Sequence, residues 1–285
     1  MEWSRRQFLA TATSAAALSL LGCSTATPSP STRIPGPAAP SDPATLLVIR
    51  QKELMAGPSS GAVAQQRVWT MHETDLSRSA LLTLEGGMPL VARPGRSMFI
   101  VLAGTVRFDF LDRQEVASIG AYADIPAGVA FQMVPISVSP PVLVSFEVPK
   151  IAFDTLSTGP FGPESASATA VVRNRDTLMA TTPTWHDPSD RGWTLAKSDQ
   201  LRVNLVEMFT ELKNHAHPDA DHSLILLAGA ARVVTATEEQ RLDVGTYVSI
   251  PAGVPHKYYI DGGQPALFVS FDSPAYDPAL TRYLE

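Results

Sequence analysis

The stretch "GTYVSIPAGVPH", residues 245–256, occurs twice in the chain with small changes. Its earlier copy is "GAYADIPAGVAF", residues 120–131, which lies 125 positions upstream. The same offset joins "VLAGTVRF" at 101–108 to "LLAGAARV" at 226–233, and nearer the N-terminus it becomes 124. The chain is therefore predicted to contain two copies of one unit of about 110 residues.

Each copy consists of short apolar runs that are separated by Gly, Pro or Asp. Examples are "TYVSIP" at 246–251 and "ALFVSF" at 266–271. Such runs predict strands, and the 24 prolines and 18 glycines predict many turns between them. Short antiparallel strands hide their edges best in a barrel or jelly roll. We therefore predict an all-β fold of two tandem barrels.

The overall composition fits a folded protein and excludes one class of partner. The chain has 285 residues, of which 45% are hydrophobic and 18% charged. Its net charge is -6, and it has no basic stripe that could neutralise phosphates. We expect no nucleic-acid partner.

The N-terminus resembles a bacterial export and lipidation signal. "SRRQFL" at 4–9, with Arg5 and Arg6, resembles a twin-arginine signal, and "LLGC" at 20–23 resembles a lipobox ending at Cys23. This resemblance implies that Cys23 is lipidated and that the protein sits on the periplasmic side of the cell envelope, with a lipid anchor as its sole membrane contact. The alternatives are a plain signal peptide or an uncleaved membrane anchor. Cys23 is the only cysteine, so we expect no disulfides.

Histidines are concentrated in the second copy. "NHAHPDADHS", residues 214–223, contains three of the six histidines in the chain. His215 and His217 alternate on a predicted strand, so their side chains share one face. His222 opens the next strand, and His256 follows the "IPAGVP" turn. Four imidazoles meeting in an apolar barrel predict one divalent metal ion. The alternative is a set of buried histidines that hydrogen-bond to the backbone.

The first copy lacks these histidines. At an offset of 125 residues, the four positions correspond to Leu90, Ala92, Ser97 and Phe131. We expect these side chains to fill the first barrel as packing. The turn residues remain in both copies, which indicates that they serve the fold while the histidines serve another purpose. In the first copy they are Gly104, Gly120, Pro126 and Gly128.

Both copies resemble the cupin superfamily, so the chain resembles a bicupin. The matching residues of the two cupin motifs are His215, His217, Gly229, Gly245, Pro251, Gly253 and His256. Three positions depart from the family pattern. Phe209 stands where the first motif begins with glycine, His222 stands at the family's glutamate, and Ile260 stands at a position that is sometimes asparagine.

Side chains near the histidines are expected to shape a pocket. Phe209, Leu224 and Ile260 would make it apolar, and Glu211 and Tyr258 share the strand parity of neighbouring histidines and would line its mouth. The predicted organisation comprises five segments: a signal at 1–22, a lipidated Pro/Ser/Thr-rich tether at 23–43, a metal-free cupin domain at 44–155, a linker at 156–168 and a metal-binding cupin domain at 169–285.

The metal centre points to two functions. The first is an oxygenase or related oxidoreductase that acts on a small metal-chelating organic molecule, since an open metal position can serve Lewis-acid or redox chemistry. The alternative is a non-catalytic envelope protein that binds a metal or small ligand. Imidazole ligands suit manganese or iron foremost here, with copper, nickel or zinc as alternatives. A homodimer is compatible with either function.

Overall fold

A computed structural model of the protein describes residues 45–63, 65–151, 155–161, 170–275 and 278–284. Arg5, Arg6, Cys23 and the predicted tether lie outside the described residues. The described part forms 24 strands, two short α-helices and one 3₁₀ helix. This architecture confirms the all-β prediction. None of the helices in the described part is long and apolar enough to cross a membrane.

The first barrel consists of two antiparallel sheets. The seven-stranded sheet has the order β13 (Val171–Arg173), β9 (Tyr122–Ile125), β6 (Arg96–Ala103), β11 (Val142–Val148), β4 (Arg78–Leu84), β3 (Gln66–Glu73) and β2 (Gly61–Val63). The five-stranded sheet has the order β12 (Ser157–Thr158), β5 (Val91–Ala92), β10 (Ala130–Pro135), β7 (Val106–Phe110) and β8 (Gln114–Ala117). The two sheets enclose a packed apolar core in which the Phe99 ring lies 6.0 Å from Phe108 and 5.8 Å from Phe131.

The second barrel repeats this plan. Its seven-stranded sheet has the order β1 (Leu47–Arg50), β21 (Thr246–Ile250), β18 (Asp221–Ala228), β23 (Ala266–Ser273), β16 (Leu201–Met208), β15 (Asp190–Ser198) and β14 (Trp185–His186). Its five-stranded sheet has the order β20 (Glu239–Leu242), β19 (Ala230–Val234), β22 (His256–Asp261), β17 (Leu212–Ala216) and β24 (Arg282–Tyr283). The helices α1 (Gln51–Ala56) and α2 (Arg175–Met179) follow β1 and β13, and the 3₁₀ helix Pro278–Leu280 precedes β24.

The repeat extends to individual hydrogen bonds. The Trp69 indole donates to the Gly57 carbonyl at 3.3 Å, and the Trp193 indole donates to the Thr181 carbonyl at 3.1 Å. Both tryptophans are buried in the cluster that joins the barrels. They therefore pack as core residues at equivalent positions of the two barrels.

The repeated glycines occupy positions that need glycine. Gly229 has φ +80°, and a Cβ built on it would lie 2.6 Å from the Pro265 carbonyl oxygen. Its counterpart Gly104 has φ +76°, and a Cβ there would lie 2.9 Å from the Pro141 Cα. Both positions combine a left-handed backbone with a close backbone neighbour. This supports the interpretation that the shared glycines serve the fold.

The two barrels exchange their first strands. β1 is the first strand of the first repeat but pairs with β21 of the second barrel, whereas β13 is the first strand of the second repeat and pairs with β9 of the first barrel. The barrels also share an apolar interface, in which the Phe146 and Phe271 rings stack at 4.3 Å. The exchange and the shared core tie the two barrels together.

Candidate metal centre

Three histidines of the second barrel converge on one point. His215 on β17 and His256 at the start of β22 lie directly opposite each other, and their ring centroids are 4.3 Å apart. The His217 ring lies 5.1 Å from that of His215 and 5.5 Å from that of His256. All three are buried, and each offers one potential ligand atom within 4.8 Å of the other two. Three of the four predicted metal ligands therefore form one cluster.

Hydrogen bonds to the backbone select the tautomer of two of these rings. His215 Nδ1 lies 2.8 Å from the Lys213 carbonyl oxygen, and His256 Nδ1 lies 2.9 Å from the Val254 carbonyl oxygen. Because a carbonyl oxygen can only accept, each Nδ1 carries the proton and each Nε2 carries a lone pair. Within the described residues, the buried Nε2 of His256 has no hydrogen-bond partner. This is the arrangement that a metal-binding imidazole needs.

Burial keeps the cluster neutral. Desolvation lowers the pKa of His215 to about 4. The hydrogen bond that His215 donates to the Lys213 carbonyl opposes this shift only in part. Desolvation, followed by the nearby His222 and His215, lowers the pKa of His217 to about 2. Desolvation likewise lowers the pKa of His256 well below its usual range. All three rings are neutral at pH 7, which is the protonation state that binds metal.

His222 lies beside this cluster on β18. Its ring is 4.6 Å from that of His217 and 5.5 Å from that of His256. Its Nδ1 lies 2.5 Å from Oδ1 of Asp272, a fully buried carboxylate on the neighbouring strand β23. His222 is not part of the set whose ligand atoms all lie within 4.8 Å of one another. Its role as a fourth ligand stays a prediction.

A cavity of about 1190 Å³ opens in front of the histidines. Of the predicted pocket residues, Glu211, Leu224 and Tyr258 line it. Phe209 is not among the lining residues. It directly follows β16, and the even-numbered positions of this segment face the cavity, whereas the Phe209 ring lies 6.4 Å from that of His186. Ile260 does not line it either and packs against the core of the second barrel.

Sequence reasoning did not identify several polar lining residues. Arg202 and Asn204 face the cavity from β16, and Ser270 faces it from β23. Arg202 is the cross-strand neighbour of Asp272, which in turn neighbours His222 on the other side. The period-two alternation of the two strands could have placed these residues on the inner face. The partnership of Asp272 with His222 has no comparable signal, since it depends on which strands are adjacent.

The register of the first barrel corrects one sequence expectation. Phe131 faces Val91 as His256 faces His215, and Gly128 donates to the Arg93 carbonyl as Gly253 donates to the His217 carbonyl. The counterparts of His215 and His217 are therefore Val91 and Arg93, at an offset of 124. The expected Leu90 and Ala92 are wrong by one residue. The reason is the turn, which has four residues between His217 and His222 but three between Arg93 and Ser97.

In the first barrel an ion pair occupies the region that holds the histidines in the second. The Arg93 guanidinium contacts the Glu147 carboxylate, and the two side chains are 3% and 0% exposed. Glu147 is the counterpart of Asp272. Glu147 pairs with Ser97 on the neighbouring strand, and Asp272 pairs with His222, which is the counterpart of Ser97. A buried cation thus balances the buried carboxylate, and Val91 and Phe131 stand where the second barrel has His215 and His256.

Comparisons with known proteins agree with this architecture. Residues 206–272 match the family model of the cupin domain. No curated protein sequence matches the chain. The fold is similar to that of the oxalate decarboxylase of Lactobacillus farciminis in its formate complex, with a TM-score of 0.60 and 14% identity over 84% of this chain and 88% of that one.

Two structures of the Bacillus subtilis oxalate decarboxylase show the same likeness. The structure at pH 4.6 has a TM-score of 0.61 and 12% identity, covering 84% of this chain and 78% of that one. A structure from work on the Mn(II) centers of that enzyme has a TM-score of 0.59 and 12% identity, with 84% and 79% covered. The chain therefore contains a cupin domain over residues 206–272 within a mostly β, two-domain cupin-like fold, with a cluster of three histidines in its second domain.

Proposed function

We propose that the second barrel binds one divalent transition metal ion and that the protein is an oxidoreductase acting on a small organic molecule that coordinates this metal. The observation that carries the proposal is the convergence of His215, His217 and His256 within 4.8 Å, in a buried and neutral state. Imidazole nitrogens suit manganese, iron, copper, nickel and zinc, and a metal held here would supply Lewis-acid or redox chemistry.

The cavity supports an organic substrate. Its volume of about 1190 Å³ exceeds what a two-carbon acid fills. Leu224, Phe268 and Met208 give it apolar walls, while Arg202 and Asn204 place polar groups on the same inner face. A molecule with an oxygen-bearing end and an apolar body would match these walls, and its oxygens would reach the histidines.

Metal analysis followed by a substrate panel tests the proposal. The chain without residues 1–43 is folded in the cytoplasm, purified and assayed for metal per chain. Dioxygen uptake is then measured with catechols, diketones and flavonols. Oxalate is included, with formate and CO₂ as products, because the similar structures are oxalate decarboxylases. We expect one metal per chain and oxygen consumption with at least one chelating substrate.

Other outcomes would replace this function. Product formation from oxalate without oxygen uptake would assign a decarboxylase. Full metal content with no turnover of any substrate would assign a metal-binding envelope protein. A metal-free protein that cannot be loaded would overturn the proposal.

A further inference from the structure

The carboxylate of Asp272 has no role in the proposed function, yet it contacts His222 beside the histidine cluster. It is fully buried at the C-terminal end of β23, and its Oδ1 lies 2.5 Å from His222 Nδ1. A carboxylate oxygen accepts hydrogen bonds, so Nδ1 of His222 donates. This leaves Nε2 as the ring nitrogen that can bind a metal.

The His222 ring lies near the other three histidines, although His222 is outside the set whose ligand atoms all lie within 4.8 Å of one another. Its ring lies 4.6 Å from that of His217 and stacks at 5.5 Å on that of His256, with an interplanar angle of 18°. The side chain lines the same cavity. His215 and His256 hold their Nδ1 protons with backbone carbonyls, whereas His222 holds its own with a side chain.

The two barrels share a buried acidic residue but differ in the side chain that contacts it. Each barrel has a buried acid at this point of its last long strand, Glu147 in the first and Asp272 in the second. In the first barrel the partner is Arg93, at the position of His217, and the His222 position holds Ser97. In the second barrel the side chain that contacts the acid is His222. The barrel that has the histidine cluster is therefore also the barrel in which a histidine contacts the acid. The same fold accommodates both pairings.

We propose, on the basis of the metal-binding function above, that Asp272 is a positioning residue that holds His222 with Nε2 directed at the other three histidines, so that four imidazoles bind the metal. Asp272 itself does not touch the metal. Hydrogen bonds of this kind fix ring orientation and tautomer, and their loss typically lowers metal affinity about ten- to a hundredfold.

Pulsed EPR of the Cu²⁺-loaded protein tests this inference, because it detects the remote nitrogens of coordinated imidazoles and counts them. We expect four imidazoles in the wild type and three in His222→Ala. Asp272→Ala should also show three, with the Kd for Cu²⁺ and Mn²⁺ raised about ten- to a hundredfold. Asp272→Asn should restore four, since its amide oxygen can still accept from Nδ1. Adding His222→Ala to Asp272→Ala should cause no further loss.

Glu147→Gln is the matched control. It removes the equivalent carboxylate of the first barrel and disturbs a buried pair, so it should lower stability without changing the Cu²⁺ spectrum or the Kd. If Asp272→Ala does not fold, Asp272→Leu removes the acceptor while filling the space. Four imidazoles in Asp272→Ala or Asp272→Leu would overturn the inference, as would three in the wild type. A wild type that binds neither metal would overturn the proposed function as well.

Discussion

His215 and His256 face each other across β17 and β22 with their rings 4.3 Å apart, and the first barrel has Val91 and Phe131 in the corresponding pair. The backbone register is the same in both barrels. The same pair of positions therefore holds two histidines of the cluster in the second barrel and two apolar side chains in the first. The difference lies in the side chains, which indicates that the histidines are not required for folding.

Phe131→His should destabilise the first barrel. Phe131 is fully buried and its ring lies 5.8 Å from that of Phe99, so the change would lose apolar packing and bury an imidazole in an apolar core. We expect the free energy of unfolding to fall by about 2–4 kcal/mol, measured by urea denaturation. An unchanged stability would show that this barrel interior is open to water.

The ion pair of the first barrel should be costly to break on one side. Arg93→Met leaves Glu147 as a buried carboxylate without its guanidinium partner, and we expect a loss of about 3–5 kcal/mol in the free energy of unfolding. The double variant Arg93→Met/Glu147→Leu removes both charges and should recover most of that loss. Metal content should stay at the wild-type value in both. A double variant that is no more stable than the single one would contradict this account.

The metal-free protein should lose stability as the pH falls. The unfolded chain has histidines with a pKa near 6.5, whereas folded His215 has a pKa of about 4 and folded His217 of about 2. Below pH 6.5 the unfolded state therefore binds more protons than the folded state, and the free energy of unfolding decreases. Each histidine contributes up to about 1.4 kcal/mol per pH unit in this window.

Urea denaturation of the metal-free protein between pH 7.5 and 5.5 checks this, since most carboxylates stay ionised there. His215→Gln removes one of the titrating rings and should show a weaker dependence on pH. A free energy of unfolding that is constant or increases as the pH is lowered through this range is the outcome that this account does not allow.

Sequence alone predicted the all-β architecture of two similar units and three residues of the histidine cluster. Both depend on local patterns, namely the repeated turn glycines and the alternation of His215 and His217. The counterparts Leu90 and Ala92 were wrong because a one-residue difference in turn length changes the sequence offset between the copies from 125 to 124, while the strand pairing stays the same. The exchange of β1 and β13 and the contact of His222 with Asp272 could not be predicted, since both depend on which strands become neighbours.

The resemblance of the N-terminus to an export and lipidation signal leads to a separate prediction. If Cys23 is lipidated, Cys23→Ala should move the protein from the membrane fraction to the soluble periplasmic fraction. Cell fractionation with detection of the folded domains measures this, and a replacement of the Arg5 and Arg6 pair by lysines should prevent export altogether. Retention of Cys23→Ala in the membrane would assign the anchor to the apolar stretch before it.

The central claim, that one metal ion binds per chain in the second barrel, is tested most directly by the metal stoichiometry of purified variants. We expect one metal per wild-type chain, and a loss of metal or a Kd raised about tenfold or more in His256→Ala and His222→Ala. Asp221→Ala and His186→Ala should keep the metal, because Asp221 binds the Ala252 amide and His186 lies outside the cluster. Full metal content in His256→Ala would contradict the account, and loss of metal in Asp221→Ala with retention in His222→Ala would identify a carboxylate as the fourth ligand.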